Sequence, residues 1–214
     1  HQRRFNRNVL VLLALGLVSV EAAINTTVAS VTTTSRAAYV RDNEDVRELM
    51  ENAVPKDTFY RVEKITRKTK NDGAWMNFPS VSLFSSVANA DLSDWFRRMG
   101  CESSTNAYSI TGSTPLVNSL LSVRYALYST IPHESSLLNF IAESGETYLY
   151  ENACTLPLGF MLPEELESEF YMNSGTPAEV QNQFAYLLGC SPVLTDAWGE
   201  VTGQSFSFTR ERDG

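Results

Sequence analysis

A run of twelve apolar or small residues, Val9 to Val20, directly follows three arginines, Arg3, Arg4 and Arg7. A segment of that kind partitions into a bilayer, with its basic end held on the cytoplasmic side. If the apolar character continues through Ala22, Ala23, Ile24 and Val28 to Ala29, the helix is roughly 31 Å long, enough to cross the hydrocarbon. A secretory signal peptide fits the same start, with a small-residue site at Val20-Glu21-Ala22. On either reading the rest of the chain is expected outside the cytoplasm. The chain begins at His1, so a piece of a longer protein is expected, and with it a transmembrane helix.

Glu21 and Asn25 lie four residues apart and share one helix face. Inside the bilayer an ionisable Glu21 needs a partner or a water-filled cavity. At the interface it needs neither, and the sequence leaves both readings open.

Charge narrows the partners. From Glu21 onward lie 14 of the 17 Lys and Arg and all 25 Asp and Glu, a balance of −11. Such a surface repels phosphate backbones, so nucleic acid is excluded as a partner, and a polybasic contact with anionic lipid is disfavoured. The bilayer itself is the expected partner of the helix. Cys101, Cys154 and Cys190 are widely spaced and form no CxxC. One disulfide plus a free thiol is possible, as are three buried thiols. With only His1 and His133 and no paired-His spacing, no metal site is indicated. No cofactor is expected.

Periodicity outlines the remainder. Val46, Leu49, Met50 and Ala53 recur at helical spacing between Asp42-Asn43 and Pro55. Thr58 to Ile65 reads as a strand with Tyr60 and Val62 on one face and Arg61 and Glu63 on the other. Asp91 to Met99 is a helix with Leu92, Trp95, Phe96 and Met99 inward and Gly100 as its stop. Thr114-Pro115 opens another helix, which passes into a strand from Ser122 to Tyr128. Thr147 to Tyr150 and Leu158 to Leu162 read as strands around a turn at Glu151-Asn152-Ala153-Cys154. Thr176-Pro177-Ala178-Glu179 is a capping box whose helix carries Val180, Phe184, Leu187 and Leu188 and ends at Gly189. Ser205 to Thr209 reads as a strand with Phe206 and Phe208 on one face. The Thr- and Ser-rich stretch from Val28 to Ser35 reads as a disordered linker.

Helices and strands interleave without a βαβ rhythm, so the fold class is an α+β extracytoplasmic domain preceded by one transmembrane helix. The expected division is a membrane helix with its basic flank over 1–30, the α+β domain over 31–190, and the start of a truncated β-rich segment over 191–214.

No nucleophile elbow or phosphate-binding loop is present. His133 follows Pro132 in a polar stretch and reads as a surface loop residue. Glu143, Glu146 and Glu151 could supply a carboxylate pair for acid–base work on sugars. They read better as a solvated face, as do Glu164, Glu165, Glu167 and Glu169. The stretch Thr69 to Pro79 is more suggestive: turn formers, the Asp72 carboxylate and Trp75 lie between two ordered elements, the composition of many sugar-binding loops. The bland alternative is a turn whose Trp75 docks on the core, and composition favours it.

Four phrases, in order, carry a resemblance. Arg67-Lys68-Thr69-Lys70-Asn71-Asp72-Gly73 leading to Ser82-Leu83-Phe84-Ser85-Ser86 comes first. Leu120-Leu121-Ser122-Val123-Arg124-Tyr125 follows. Tyr150-Glu151-Asn152 with Leu156-Pro157-Leu158-Gly159-Phe160 is third, and Glu179-Val180-Gln181-Asn182-Gln183 is last. Together they resemble the extracytoplasmic region of the YfhO family of bacterial membrane proteins. The resemblance implies a multi-pass cell-membrane glycosyltransferase of the GT-C type, which takes a sugar from a polyprenyl-phosphate carrier. The acceptor would be a cell-wall polymer such as teichoic acid. His1 to Ala29 would be the last core membrane helix, and residues after about 30 would be extracytoplasmic. The family's catalytic carboxylate belongs to a loop upstream of His1. The residues expected to meet substrate are therefore binding residues: Asn71, Asp72, Trp75, Ser85, Ser86, Glu151 and Asn152, with Glu21 and Asn25 as the intramembrane polar pair. The alternative is a non-catalytic, membrane-anchored binding or scaffold domain.

Overall fold

The computed structural model describes residues 6–32, 35–132, 134–173, 175–195, 199–202 and 205–208. The chain separates into two compact units, divided between Arg41 and Asp42.

The first unit is dominated by helix α1, Arg7–Thr32, with the short α2, Arg36–Val40, after it. From Arg7 to Ser30 α1 is long and apolar enough to cross a membrane. Glu21 and Asn25 are both exposed on it. The expected linker from Val28 is thus helical as far as Thr32. Thr27 shows how a Thr-rich stretch stays helical, because its hydroxyl donates to the Ala23 carbonyl one turn back at 2.8 Å. Arg3 and Arg4 lie outside the described residues.

The second unit opens with α3, Asn43–Asn52, followed by β1, Arg61–Lys64, and α4, Asp72–Met76. Then come β2, Leu83–Phe84, α5, Ala90–Arg98, β3, Ser103–Ser104, and β4, Ala107–Tyr108. Next are α6, Pro115–Leu120, β5, Val123–Tyr128, β6, Leu138–Ser144, and β7, Thr147–Asn152. The chain closes with α7, Glu165–Glu169, α8, Pro177–Leu187, β8, Gly199–Thr202, and β9, Ser205–Phe208. This is an α+β arrangement.

The main sheet has the order β1-β5-β7-β6. β1 lies parallel to β5, and the other neighbours are antiparallel. The period-2 pattern of β5 places Val123, Tyr125 and Leu127 on the face that α3 covers. There Val46 and Leu49 meet Val62, Tyr125, Leu127 and Leu149, forming one core. A second core gathers Phe96 of α5 and its C-cap Met99, Cys101, Tyr108, Val117 of α6 and Val180 of α8. Phe96 and Tyr108 stack at 4.6 Å. Buried Gln181 ties three helices, since its amide donates to Met99 O at 2.9 Å and accepts from Thr114 Oγ1.

Several expected elements change. The strand from Thr58 shortens to Arg61–Lys64, and Glu63 and Lys64 are buried with Val62, so β1 has no solvated face. Glu151 and Asn152 continue β7 instead of turning, because they pair with Asn139 and Leu138 of β6, a strand the expected elements lack. Gly145, at φ +55, is the first of the two residues that join β6 to β7. Leu158–Leu162 is irregular: Pro157 and Pro163 bracket it, and proline removes ladder donors. Of the cysteines only Cys101 is buried, and all three are free thiols. Leu92 stays exposed one turn before buried Phe96. The caps of α6 and α8 fall where expected, at Thr114 and Thr176, the last as a full capping box, while α5 begins one residue early, at Ala90, behind an Asn89 cap that the sequence reading did not name. His133, Thr209 and the side chains of Phe206 and Phe208 lie outside the described residues.

Candidate functional site

After β1 the chain turns through Arg67 to Gly73, and the carboxylate of Asp72 closes that turn. It accepts from Lys68 N at 2.7 Å, Thr69 N at 2.8 Å and Thr69 Oγ1 at 2.8 Å, and it is buried. Asn71 stands in for a strand residue: its amide donates to Phe84 O at 3.0 Å and accepts from Phe84 N at 2.8 Å. Gly73 is required by close approach, because a Cβ there would sit 2.9 Å from the Phe78 carbonyl and against Ser80. Trp75, on α4, is 54% exposed. Ser85 is half-buried, its hydroxyl accepting from Val87 N at 3.2 Å, while Ser86 is exposed.

Charged groups surround this loop, each with a partner. Glu102 accepts from Lys70 Nζ at 2.6 Å, from Ser109 Oγ at 2.7 Å and from Arg67. These donors, Lys70 foremost, hold its carboxyl down to about 2. Asp42 meets Lys64 at 2.8 Å and also Lys68. Burial works to raise the Asp42 carboxyl, but hydrogen bonds from Lys64 and Lys68 outweigh it and keep the group below its ordinary value. Glu63 accepts from Ser80 Oγ, Ser82 N and Ser82 Oγ at 2.8–2.9 Å, and from Val81 N.

Glu151 and Asn152 lie elsewhere. Glu151 Oε1 accepts from Arg124 Nε at 2.7 Å, and Asn152 Nδ2 donates to Val123 O at 2.5 Å, at the start of β5. The Asp72 loop leaves from the other end of β5, where Ile65 N meets Leu127 O. The expected binding residues therefore form two groups at opposite ends of one strand. Asn71, Asp72, Trp75, Ser85 and Ser86 make one, and Glu151 with Asn152 the other.

Beside the second group lies an open groove that the sequence reading did not find. Tyr150 lines it and is in edge contact with Tyr128 and with Phe140, both at 5.5 Å. The groove encloses about 600 Å3, and Ile131, Ser135 and Ser136 line it together with Phe140 and Tyr150. Among the described residues that line it, Glu134 is the only charged one. A smaller cavity of about 170 Å3 shares Ser135 and Leu138 with it and reaches Asn118, Asn152 and Cys154. The missed signal was β6, where Leu138, Phe140 and Ala142 alternate with polar Asn139 and Glu143. Ile141 breaks that alternation, at the point where the register with β7 shifts. Among the described residues no group of three or more His, Cys, Asp or Glu is placed to hold a metal ion.

The family model of the bacterial membrane protein YfhO matches residues 1–192, spanning α1 and most of the second unit. The chain belongs to the YfhO family. Membership and the apolar α1 together make it a membrane protein associated with the lipid bilayer. No curated protein and no solved structure matches the chain. Within the chain, the buried carboxylates of Glu63 and Asp72 hold loops together, and an open groove lies at the aromatic cluster.

Proposed function

We propose that the intact protein is a polytopic GT-C-type glycosyltransferase that moves a sugar from a polyprenyl-phosphate carrier to a cell-wall polymer such as teichoic acid. Residues after about 30 stand on the extracytoplasmic side. The observation that carries this reading is the YfhO family match over residues 1–192, which takes in α1 and most of the domain. Glycosyl transfer from a lipid phosphate needs a carboxylate to take the proton from the acceptor hydroxyl, and cations to stabilise the departing phosphate. The resemblance assigns that carboxylate to a loop upstream of His1, which leaves acceptor binding to this domain.

The aromatic groove suits that task. Ring faces pack against the C–H faces of pyranoses, and Ser135, Ser136 and Glu134 supply partners for hydroxyls. Its described lining carries no cation, which fits an uncharged, hydroxyl-bearing part of the acceptor better than a phosphate of donor or acceptor. Asn152 contributes from the adjoining cavity, with Glu151 braced by Arg124 at its side. Trp75 and Ser86 are exposed and serve as secondary contacts, while Asn71, Asp72 and Ser85 act by holding that loop.

The test is made in cells. Wall polymers from wild type, a deletion strain and strains restored with Phe140→Ala or Trp75→Ala are compared by NMR. The deletion should lose one sugar decoration. Phe140→Ala should restore it only in part at equal protein level, with a raised KM for acceptor in membranes. An unchanged wall in the deletion strain would favour the membrane-anchored binding or scaffold domain.

A further inference from the structure

Leu158–Leu162, expected as a strand, is instead an apolar loop held out into solvent. Met161 is 97% exposed, Leu158 54% and Leu162 44%, with Phe160 half-buried beside them. Nothing lies within 4 Å of where a Gly159 Cβ would stand. From Thr155 to Pro163 the chain carries no charged residue. Exposed Leu and Met at this density would be costly in water, and they mark a surface that meets an apolar partner.

The same chain holds such a partner, the bilayer, close by. Helix α1 ends at Thr32 and the second unit begins at Asp42. Nine residues span at most about 30 Å, so the domain is tethered within a domain's width of the bilayer surface. We propose that Leu158–Leu162 inserts into the headgroup boundary of the leaflet on the domain's own side, as a second, shallow membrane contact. Leu158, Met161 and Leu162 enter the acyl edge, at the depth of about 5–10 Å that interfacial segments reach. The flanking prolines limit the conformations the loop gives up on insertion.

Charge selects the lipid. Glu164, Glu165, Glu167 and Glu169 follow at once, all exposed. A carboxylate cluster beside the inserted residues is repelled by anionic headgroups. The loop therefore prefers zwitterionic lipid, and added salt relieves the repulsion on anionic lipid. The inference rests on membership in a membrane-protein family and not on the sugar-transfer reading.

The experiment uses the full chain in phosphatidylcholine nanodiscs, with and without brominated acyl chains. Met161→Trp places an indole at the most exposed position, and the wild-type protein supplies the background of its native tryptophans. The expected result is added emission that is blue-shifted and at least twofold quenched by brominated lipid. Quenching should weaken as phosphatidylglycerol is added and recover in high salt. Adding Leu158→Glu and Leu162→Glu to Met161→Trp should abolish it. Added emission at the water wavelength without quenching would overturn the proposal. Blue-shifted emission without quenching would overturn it too, because the loop would then be covered by protein. Wall glycosylation is not part of the readout, so a failure here leaves the proposed function standing.

Discussion

The carboxylate of Asp72 accepts three hydrogen bonds from the two residues that open its loop. Asp72→Asn keeps the shape but turns one acceptor oxygen into a donor facing N–H groups. The expected loss is about 1–3 kcal/mol, read as a lowered thermal midpoint. Glu102 gives a pH signature. Its carboxyl is held near 2 when folded, below the ordinary 4.5, with Lys70 as the chief cause. A depressed carboxyl stabilises the fold fully above its unfolded value. Stability should therefore fall as pH drops from about 4.5 toward 2, and Glu102→Gln should flatten that part of the profile. The side chain is 41% exposed, so solvent keeps the effect modest. Residue type announced that the Asn71 to Trp75 loop was special, but not why. Asp72 finds its donors three and four residues back, but Asn71 pairs with the backbone of Phe84, more than ten residues on, and no local pattern encodes that pairing.

Elements were legible where their ends carry chemistry. Thr176 and Glu179 cap α8 reciprocally, as the sequence signature requires. Thr176→Ala should lower stability by about 1 kcal/mol in chemical denaturation. Thr114 with Pro115, and Gly100 at φ +76, were equally readable. Short pieces without caps were not: α4 is five residues, and β2, β3 and β4 are two each. Their backbone partners come from tertiary contact, not propensity. Leu158–Leu162 misled because apolar runs look alike whether they face a core or a bilayer. Gly73→Ala would force α4 off the Phe78–Ser80 segment, and it should cost more than the propensity gain of about 1 kcal/mol from removing a helical glycine. Differential scanning calorimetry of that variant would measure the balance.

At the scale of the molecule, every residue of both hydrophobic cores lies at or after Val46. Removing residues 1–41 should leave the circular dichroism and melting of the domain nearly intact. The truncated protein should keep only a weak affinity for phosphatidylcholine vesicles in flotation. The α+β class was readable from interleaved periods, but the strand order was not, since β1 finds its neighbour across some sixty intervening residues. That parallel pairing has a temporal meaning. While the chain is being made, β6 and β7 can zip as soon as both emerge, but β1 must wait until Val123 to Leu127 have followed it out. During that interval Glu63 and Lys64, buried in the finished fold, stand in water, and their solvation helps keep the nascent strand from finding the wrong edge.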